Sequence, residues 1–143
     1  MNRKIGVPDF KPRKEGLRQI LGDLEADIME FIWERGKSTV RDVYEGLLAA
    51  RERELAYTTV MTVMGRLAEK ELLQREAAGN TYIYMAAVAR DEYLARIVGE
   101  VLDALLVSHR EQTISHLASR LARVDAAELN KLEAALAERR GKS

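Results

Sequence analysis

The sequence contains no cysteine, only two prolines and no long uninterrupted run of apolar residues. Without cysteine, disulfide bonds, thiol catalysis and thiolate metal sites are excluded. A membrane-spanning helix needs about 20 apolar residues in succession, and the basic start of the chain lacks the apolar stretch of a signal peptide. We therefore expect a soluble, cytoplasmic protein that does not insert into a membrane.

Residues suited to catalysis or metal binding are also scarce. His109 and His116 are the two histidines of the chain, and two histidines without cysteine do not form a structural zinc site. Neither a nucleophile–base arrangement nor a glycine-rich phosphate loop is recognisable. We expect no catalytic residues, no metal site and no cofactor, so the sequence does not indicate an enzyme.

The net charge is zero, because 23 basic residues balance 23 acidic ones, whereas many DNA-binding proteins are strongly basic. Residues 1–23 carry six basic and three acidic groups, residues 24–86 eight and eleven, and residues 87–143 nine and nine. Residues 1–16, which hold both prolines, are predicted to form a flexible basic arm. A DNA-binding surface elsewhere would require a few arginines placed on one face.

Apolar spacing in the first half of the chain predicts three helices with short connections. Asp23 is the predicted N-cap of the first helix, and Gly36 is predicted to end it. Ser38 or Thr39 can cap the second helix, and the third is predicted over 57–71. The predicted buried positions are Leu24, Ile28, Phe31 and Ile32, then Val40, Val43, Leu47 and Leu48, then Val60, Val63, Met64 and Leu67.

The pattern changes after the third helix. Residues 72–77 and 81–85 read as strands around Gly79-Asn80, which predicts a β-hairpin. Three helices followed by a hairpin is the order of a winged helix-turn-helix domain. The predicted fold is mainly α-helical with a small β-hairpin, and the winged-helix DNA-binding domain is expected to cover 17–88.

Residues 89–140 are predicted to form a helical dimerisation domain. From Leu94 to Leu106, apolar residues cover more than half of the helix circumference, which is wider than packing on the chain's own hairpin requires. Asp125 and Glu128 resemble a capping box that opens the last helix. Because three helices are too small for an independent core, we expect a two-fold homodimer. The predicted dimerisation residues are Leu94, Val98, Val101, Leu102, Leu105, Ile114, Leu117, Leu121, Leu132 and Leu136.

The outward face of the third helix suggests DNA binding. It carries Thr58, Thr59, Met61, Thr62, Gly65 and Arg66. Small side chains let a helix enter the major groove deeply, and threonine can contact phosphates, base edges and the thymine methyl group. Glycine within a helix costs about 1 kcal/mol relative to alanine, and close approach of DNA would offset that cost at Gly65. Arg66 is interpreted as a phosphate clamp or a guanine reader.

The predicted wing contributes less to this surface. Arg75 is the cation near its tip, where Asn80 lies, while Tyr82 and Tyr84 share one side of their strand and are interpreted as packing residues. The predicted set of DNA contacts is completed by Tyr57, Arg41, Arg75 and Asn80.

These motifs resemble the penicillinase repressor family. Residues 21–25 read Leu-Gly-Asp-Leu-Glu and are followed by Met29, Trp33 and the motif Thr-Val-Arg-Asp-Val at 39–43. Residues 55–67 read LAYTTVMTVMGRL, which is very similar to the recognition-helix signature of the family's actinobacterial-type members. The Tyr-x-Tyr pattern of the wing also fits, and the resemblance extends over about residues 17–140.

The resemblance implies a homodimeric transcriptional repressor of palindromic, double-stranded operator DNA, with Thr58, Thr59, Thr62 and Arg66 on the DNA-facing helix. It further implies control of β-lactam-resistance or related stress genes. Family members are released by cleavage in their C-terminal helices, downstream of a membrane-bound sensor protease. Staphylococcal-type members are cut at an Asn-Phe bond, and copper-responsive members use C-terminal cysteines. This sequence has neither.

Two other interpretations stay open. The winged helix could be a protein–protein interaction module without a DNA function, in which case the small polar face would be incidental. Alternatively, an apolar pocket between the dimer helices would make the protein a ligand-sensing regulator without cleavage-based induction. A steep fall of DNA affinity with salt would distinguish true phosphate contacts from the first of these alternatives.

Overall fold

The computed structural model describes residues 18, 21–50 and 54–142, so the predicted arm at 1–16 lies outside the described residues. In this part of the chain, the elements are α1 (Asp23–Arg35), α2 (Val40–Ala50), α3 (Tyr57–Glu69), β1 (Leu73–Ala78), β2 (Thr81–Ala86), α4 (Arg90–Ser108), α5 (Arg110–Leu121) and α6 (Ala126–Gly141). The order of three helices, a hairpin and three further helices confirms the prediction of a mainly helical winged-helix fold.

The ends of α1 follow local rules with one exception. Gly36 ends the helix with a φ of 84°, and its N–H donates to the carbonyl of Ile32 at 2.8 Å, as predicted. The prediction of Asp23 as N-cap is wrong, because Gly22 occupies that position without a side-chain cap. Asp23 is instead the first helical residue. Its carboxylate accepts a hydrogen bond from Arg18 at 3.3 Å and interacts favourably with the positive end of the helix dipole.

Thr39, rather than Ser38, caps α2. The Asp42 N–H donates to Thr39 Oγ1 at 3.1 Å, and the Thr39 N–H donates to Asp42 Oδ2 at 2.9 Å, which is a reciprocal capping box. Ser38 is buried, and its N–H and carbonyl pair with the carbonyl and N–H of Tyr84 at 2.9 and 2.8 Å. A single residue before α2 therefore extends the edge of the hairpin.

The core of the winged helix lies between α1, α2, α3 and the hairpin. Its largest fully buried side chains are Ile28, Met29, Ile32, Val43, Val60, Met64, Leu67 and Leu73. Leu24, Phe31 and Val63 are only partly buried. The prediction that Leu48 is buried is wrong, since 41% of it is exposed. Leu48 is one residue beyond Leu47, and a rotation of about 100° takes it away from the neighbouring helices.

The hairpin forms where it was predicted. Its register runs from Leu73 opposite Ala86 to Ala78 opposite Thr81, which leaves Gly79-Asn80 as a two-residue turn. Gly79 has a φ of 63°. A positive φ at the first central residue alone is the pattern of a type II′ turn, which glycine adopts without strain.

The first half of α4 is tied to α1. Trp33 Nε1 donates to the carbonyl of Val88 at 2.8 Å, just before α4 begins. The Trp33 and Tyr93 rings lie 6.1 Å apart, and Tyr93 and Ile97 are buried. Burial raises the pKa of Tyr93 to about 12, and the carboxylate of Glu25 adds to this effect.

The chain divides into two compact units, and the boundary lies within α4, between Glu100 and Val101. In the second unit, α5 and α6 bury none of their residues. Asp125 caps α6 as predicted, because its carboxylate accepts the Glu128 N–H at 2.8 Å. The predicted DNA-binding and dimerisation domains at 17–88 and 89–140 stay predictions. Within the residues that the structure describes, no helix is long and apolar enough to span a membrane.

Candidate nucleic-acid interface

The outward face of α3 is fixed by the core on its other side. Val60, Met64 and Leu67 are completely buried, which turns the opposite side of the helix to solvent. The structure places the predicted residues Thr58, Thr59, Met61, Thr62 and Arg66 on that exposed side, with Gly65 partly exposed among them. The sequence prediction that these residues share one accessible surface is therefore confirmed, while their contact with DNA stays a prediction.

No packing contact among the described residues requires glycine at position 65. A Cβ atom built at this position would meet nothing within 4 Å. Gly46 is different, because a Cβ atom there would lie 2.2 Å from Cε2 of Phe31 at the contact between α1 and α2. The reason for glycine at position 46 is therefore internal, whereas the described residues leave the space beside Gly65 open.

One polar group of this face already forms a hydrogen bond within the helix. Thr62 Oγ1 donates to the carbonyl of Thr58 at 2.9 Å, so its oxygen lone pairs and its methyl group remain available outward. A hydroxyl in this state can accept a hydrogen bond from an exocyclic amino group, and its methyl can contact that of thymine. Arg66 is exposed, and its guanidinium group forms no ion pair within residues 18, 21–50 and 54–142.

The first turn of α3 carries no acidic side chain. The N-cap of the helix is Ala56, which provides no side-chain hydrogen bond. The first turns of α1, α2, α4, α5 and α6 each contain one or two acidic residues. The partial positive charge of a helix N-terminus attracts anions such as phosphate, and α3 leaves that charge unneutralised by its own first turn.

Arg41 and Tyr57 meet beside this N-terminus. The guanidinium carbon of Arg41 lies 5.6 Å from the centroid of the Tyr57 ring, which contacts the ring of Tyr44 edge-on at 5.5 Å. Arg41 also forms an ion pair with Glu45 at 3.5 Å, in which both side chains are largely exposed. The structure thus brings two of the predicted residues together and adds Tyr44, which the sequence interpretation missed.

The wing shows a second arginine on a tyrosine ring. Arg75 lies opposite Tyr84 in the register of the hairpin, and its guanidinium carbon is 4.8 Å from the Tyr82 ring centroid. A hydrogen bond with Tyr84 raises the pKa of Arg75, with a smaller contribution from the charge of Glu69. Asn80 is exposed at the turn. Arg75 is therefore the cation that the wing presents beside α3.

The signal that could have revealed Tyr44 was its spacing from Arg41. Residues three apart lie on the same face of a helix, so both side chains leave α2 in the same direction. Nothing in the sequence indicated that the first residue of α3 would lie against that face. The Tyr82 and Tyr84 rings do share one side, as predicted, with centroids 6.4 Å apart.

The predicted dimerisation residues are mostly accessible in the single chain. Within the second unit and the part of α4 before it, the exposed members are Val98, Leu102, Leu105, Ile114, Leu117 and Leu136, and the partly exposed ones are Leu94, Val101, Leu121 and Leu132. His109 and His116 are also exposed. Acidic and histidine side chains form no group of three or more that could hold a metal ion among the described residues.

Comparison with known proteins gives consistent matches. The family model described as "Penicillinase repressor" matches residues 21–138. The chain is similar to the "Transcriptional regulator BlaI" of Mycobacterium tuberculosis, strains CDC 1551 / Oshkosh and H37Rv, with 41% identity over 123 residues, which is 82% of this chain and 83% of the relative.

Two more distant similarities extend this comparison. A 16.5 kDa protein from the ptsI 3′ region of Latilactobacillus sakei is 27% identical over 93 residues, which is 65% of this chain and 62% of that protein. Among solved structures, a MarR family protein from Bacillus stearothermophilus is similar with a TM-score of 0.41 and 15% identity, and the match covers 85% of this chain and 74% of that one.

Proposed function

The chain belongs to the penicillinase repressor family, and from this premise we propose that it represses transcription by binding a palindromic operator in double-stranded DNA as a homodimer. Membership confirms the resemblance that the sequence motifs indicated. It also supports a DNA-binding regulator rather than an enzyme, because the named relatives are transcriptional regulators. The palindrome, the dimer and the target genes are the finer parts of the proposal.

The outward face of α3 carries the proposal. The helix is held on the core by Val60, Met64 and Leu67, and it turns threonine, methionine and glycine outward where an ordinary exposed helix would carry lysine, glutamate and glutamine. At Gly65 the space for a side chain is open. A helix with such a slim side can lie deep in the major groove, where its backbone approaches the base edges.

Charge placement supports the same role. The N-terminus of α3 lacks a nearby carboxylate in its first turn, and Arg41, Arg66 and Arg75 are exposed on or beside the helix. Phosphate contacts of this kind supply affinity without sequence specificity, and the groove-facing residues supply the specificity. A few arginines on one surface are sufficient, although the net charge of the chain is zero.

Dimerisation through the C-terminal helices is the second part of the proposal. Helices α5 and α6 bury no residue of their own, and leucines and isoleucines such as Leu105, Ile114 and Leu117 are exposed. Exposed apolar residues that recur along these helices support an interaction surface, and a second copy of the chain would cover it symmetrically. Two copies of α3 about one DNA turn apart would then require a palindromic operator.

The regulated genes and the inducing signal come from the family alone. We propose β-lactam-resistance or related stress genes as targets, since one named relative is the regulator BlaI of Mycobacterium tuberculosis. A membrane-bound sensor protease is the proposed partner that triggers release.

Selection of bound sequences from a random duplex pool at physiological salt tests the proposal. We expect enrichment of a palindrome whose half-sites are separated by about 10 base pairs or a multiple of it. Thr62→Glu is the matched control, because an exposed carboxylate at this position leaves the fold intact and repels DNA, so no enrichment is expected. Absence of enrichment with the native chain would refute DNA recognition, and a single unrepeated half-site would refute the dimer.

A further inference from the structure

We propose that Tyr57 and Tyr82 are positioning residues that hold Arg41 and Arg75, respectively, as preformed phosphate clamps at the two ends of α3. This inference rests on the proposed binding of DNA by α3. It assigns to the tyrosines a role that differs from direct DNA contact and from simple packing, because each ring fixes the direction of one arginine before DNA arrives.

The same three-part arrangement occurs twice in the winged helix. In each case an arginine lies over a tyrosine ring, and a second tyrosine contacts the first edge-on. The guanidinium carbons lie 5.6 and 4.8 Å from the ring centroids, and the paired rings are 5.5 and 6.4 Å apart with interplanar angles of 75° and 69°. The members are Arg41, Tyr57 and Tyr44 in one arrangement, and Arg75, Tyr82 and Tyr84 in the other.

The supporting tyrosines give each stack a firm base. Tyr84 is buried, and its backbone N–H and carbonyl are both bonded to Ser38. Tyr44 is partly buried on α2. By contrast, Tyr57 and Tyr82 are 36% and 46% exposed. Each stack therefore leads from the body of the domain out to a solvent-accessible arginine.

Stacking suits a phosphate clamp for a geometric reason. A guanidinium group over a ring keeps its five N–H donors at its edge. Arg75 uses part of that edge for its hydrogen bond with Tyr84, and the other N–H groups can donate to phosphate oxygens. A long side chain that is already ordered also loses less rotamer entropy when it binds. The ion pair of Arg41 with Glu45 is long and exposed, so phosphate can replace it at little cost.

The two arginines lie at opposite ends of the DNA-facing helix. Tyr57 is the first residue of α3, and Arg75 lies on β1, which begins four residues after α3 ends at Glu69. The helix of 13 residues is about 20 Å long at 1.5 Å per residue. A major groove about 12 Å wide is bounded by a phosphate backbone on each side, so clamps at both helix ends can reach both backbones.

A double-mutant cycle on operator binding tests the role of Tyr82. Tyr82→Leu removes the ring and is expected to weaken binding about two- to fivefold, whereas Tyr82→Phe keeps the ring and should keep the affinity within about twofold. In an Arg75→Ala background, Tyr82→Leu should have no further effect. Independent, multiplicative losses from the two substitutions would overturn the proposal for the wing.

The same cycle applies to Tyr57 and Arg41 at the other end. In addition, Arg41→Ala and Arg75→Ala should each reduce the magnitude of the slope of log affinity against log salt by about 2 for the dimer, because each substitution removes one phosphate contact from both subunits. Arg96→Ala is the matched control, because Arg96 is exposed and, among the described residues, pairs with Glu92 on its own helix α4. The slope of this variant should stay unchanged. An unchanged slope for the Arg41 and Arg75 variants would refute the phosphate clamps.

A measurement without DNA separates this inference from the proposed function. The ring currents of Tyr57 and Tyr82 should shift the Hδ and Hε resonances of Arg41 and Arg75 upfield in the free protein. The shift should vanish in the leucine variants and persist in the phenylalanine variants, with thermal unfolding showing that all of them fold. If the upfield shift is absent, the stacks are refuted even when the chain binds its operator. If the upfield shift is present but the chain binds no DNA, the proposed function and the clamp role are refuted together.

Discussion

The winged helix and the C-terminal helices use similar apolar spacing with opposite results. In the winged helix, Ile28, Val43 and Met64 are completely buried. In α5 and α6 no residue is buried, although Ile114, Leu117 and Leu132 recur at helical intervals. Apolar periodicity thus identifies the side of a helix that needs a partner, and it does not tell whether the partner belongs to the same chain.

Helix α4 shows this contrast within one element. Tyr93 and Ile97 in its first half are buried, and Tyr93 lies against Trp33 of α1, whereas Leu102 and Leu105 in its second half are exposed. The helix continues without interruption for 19 residues. The change from internal packing to exposed apolar surface therefore coincides with the division between the two compact units at Glu100 and Val101.

The largest expected effect is loss of stability from a core truncation in the winged helix. Ile28→Ala should lower the free energy of unfolding by about 2–5 kcal/mol, because Ile28 is fully buried and its removal leaves a cavity. Urea denaturation at two protein concentrations measures it, and the loss should not depend on concentration. A loss that shrinks as the protein is diluted would show that this core depends on a second copy.

Charge placed on the exposed apolar surface of the C-terminal helices should break the dimer. Leu105→Asp combined with Leu117→Asp is expected to raise the dimer dissociation constant at least about 100-fold, because two carboxylates would be desolvated at the interface. Sedimentation equilibrium measures the constant. Gln112→Asp combined with Ser115→Asp adds the same two charges at exposed polar positions of α5 and should leave the constant within about threefold. Equal behaviour of the two variants would contradict the proposed interface.

Removal of one arginine tests the DNA-facing side of the winged helix. Arg66→Ala should weaken operator binding by about 1–3 kcal/mol, which is the size of one good base or phosphate contact. The free energy of unfolding should change by less than about 0.5 kcal/mol, since Arg66 is exposed. Gel-shift titration and urea denaturation measure the two quantities. Undiminished binding would remove Arg66 from the interface.

The smallest expected effect has opposite signs for stability and binding. Gly65→Ala should raise the free energy of unfolding by up to about 1 kcal/mol, because alanine favours a helix and the space for its Cβ is open. Operator binding should nevertheless weaken, since the added methyl group would separate the helix from the DNA. Gly46→Ala is the matched comparison and should gain no stability, because its Cβ would meet the Phe31 ring. Unchanged operator affinity in Gly65→Ala would contradict close DNA approach at this position.

Local rules predicted the features that depend on neighbouring residues. Gly36 and Gly79 adopt the positive φ angles that their turns require, and Asp125 caps α6 through an N–H three residues away. Two local predictions were less successful. Gly22, rather than Asp23, occupies the N-cap position of α1, and Leu48 is exposed although it follows the buried Leu47. Their environments depend on Arg18 and on the directions of the neighbouring helices, which short-range patterns do not encode.

Sequence alone determined the helices, the hairpin and the slim outward side of α3, because hydrogen bonding and amphipathic spacing act over about four residues along the chain. Only the tertiary structure decided that Ser38 would extend the hairpin, that Trp33 would donate to Val88 across 55 residues, and that both wing and helix α2 would present an arginine on a tyrosine ring. These contacts join distant segments, and their geometry follows from how the helices pack around the buried core.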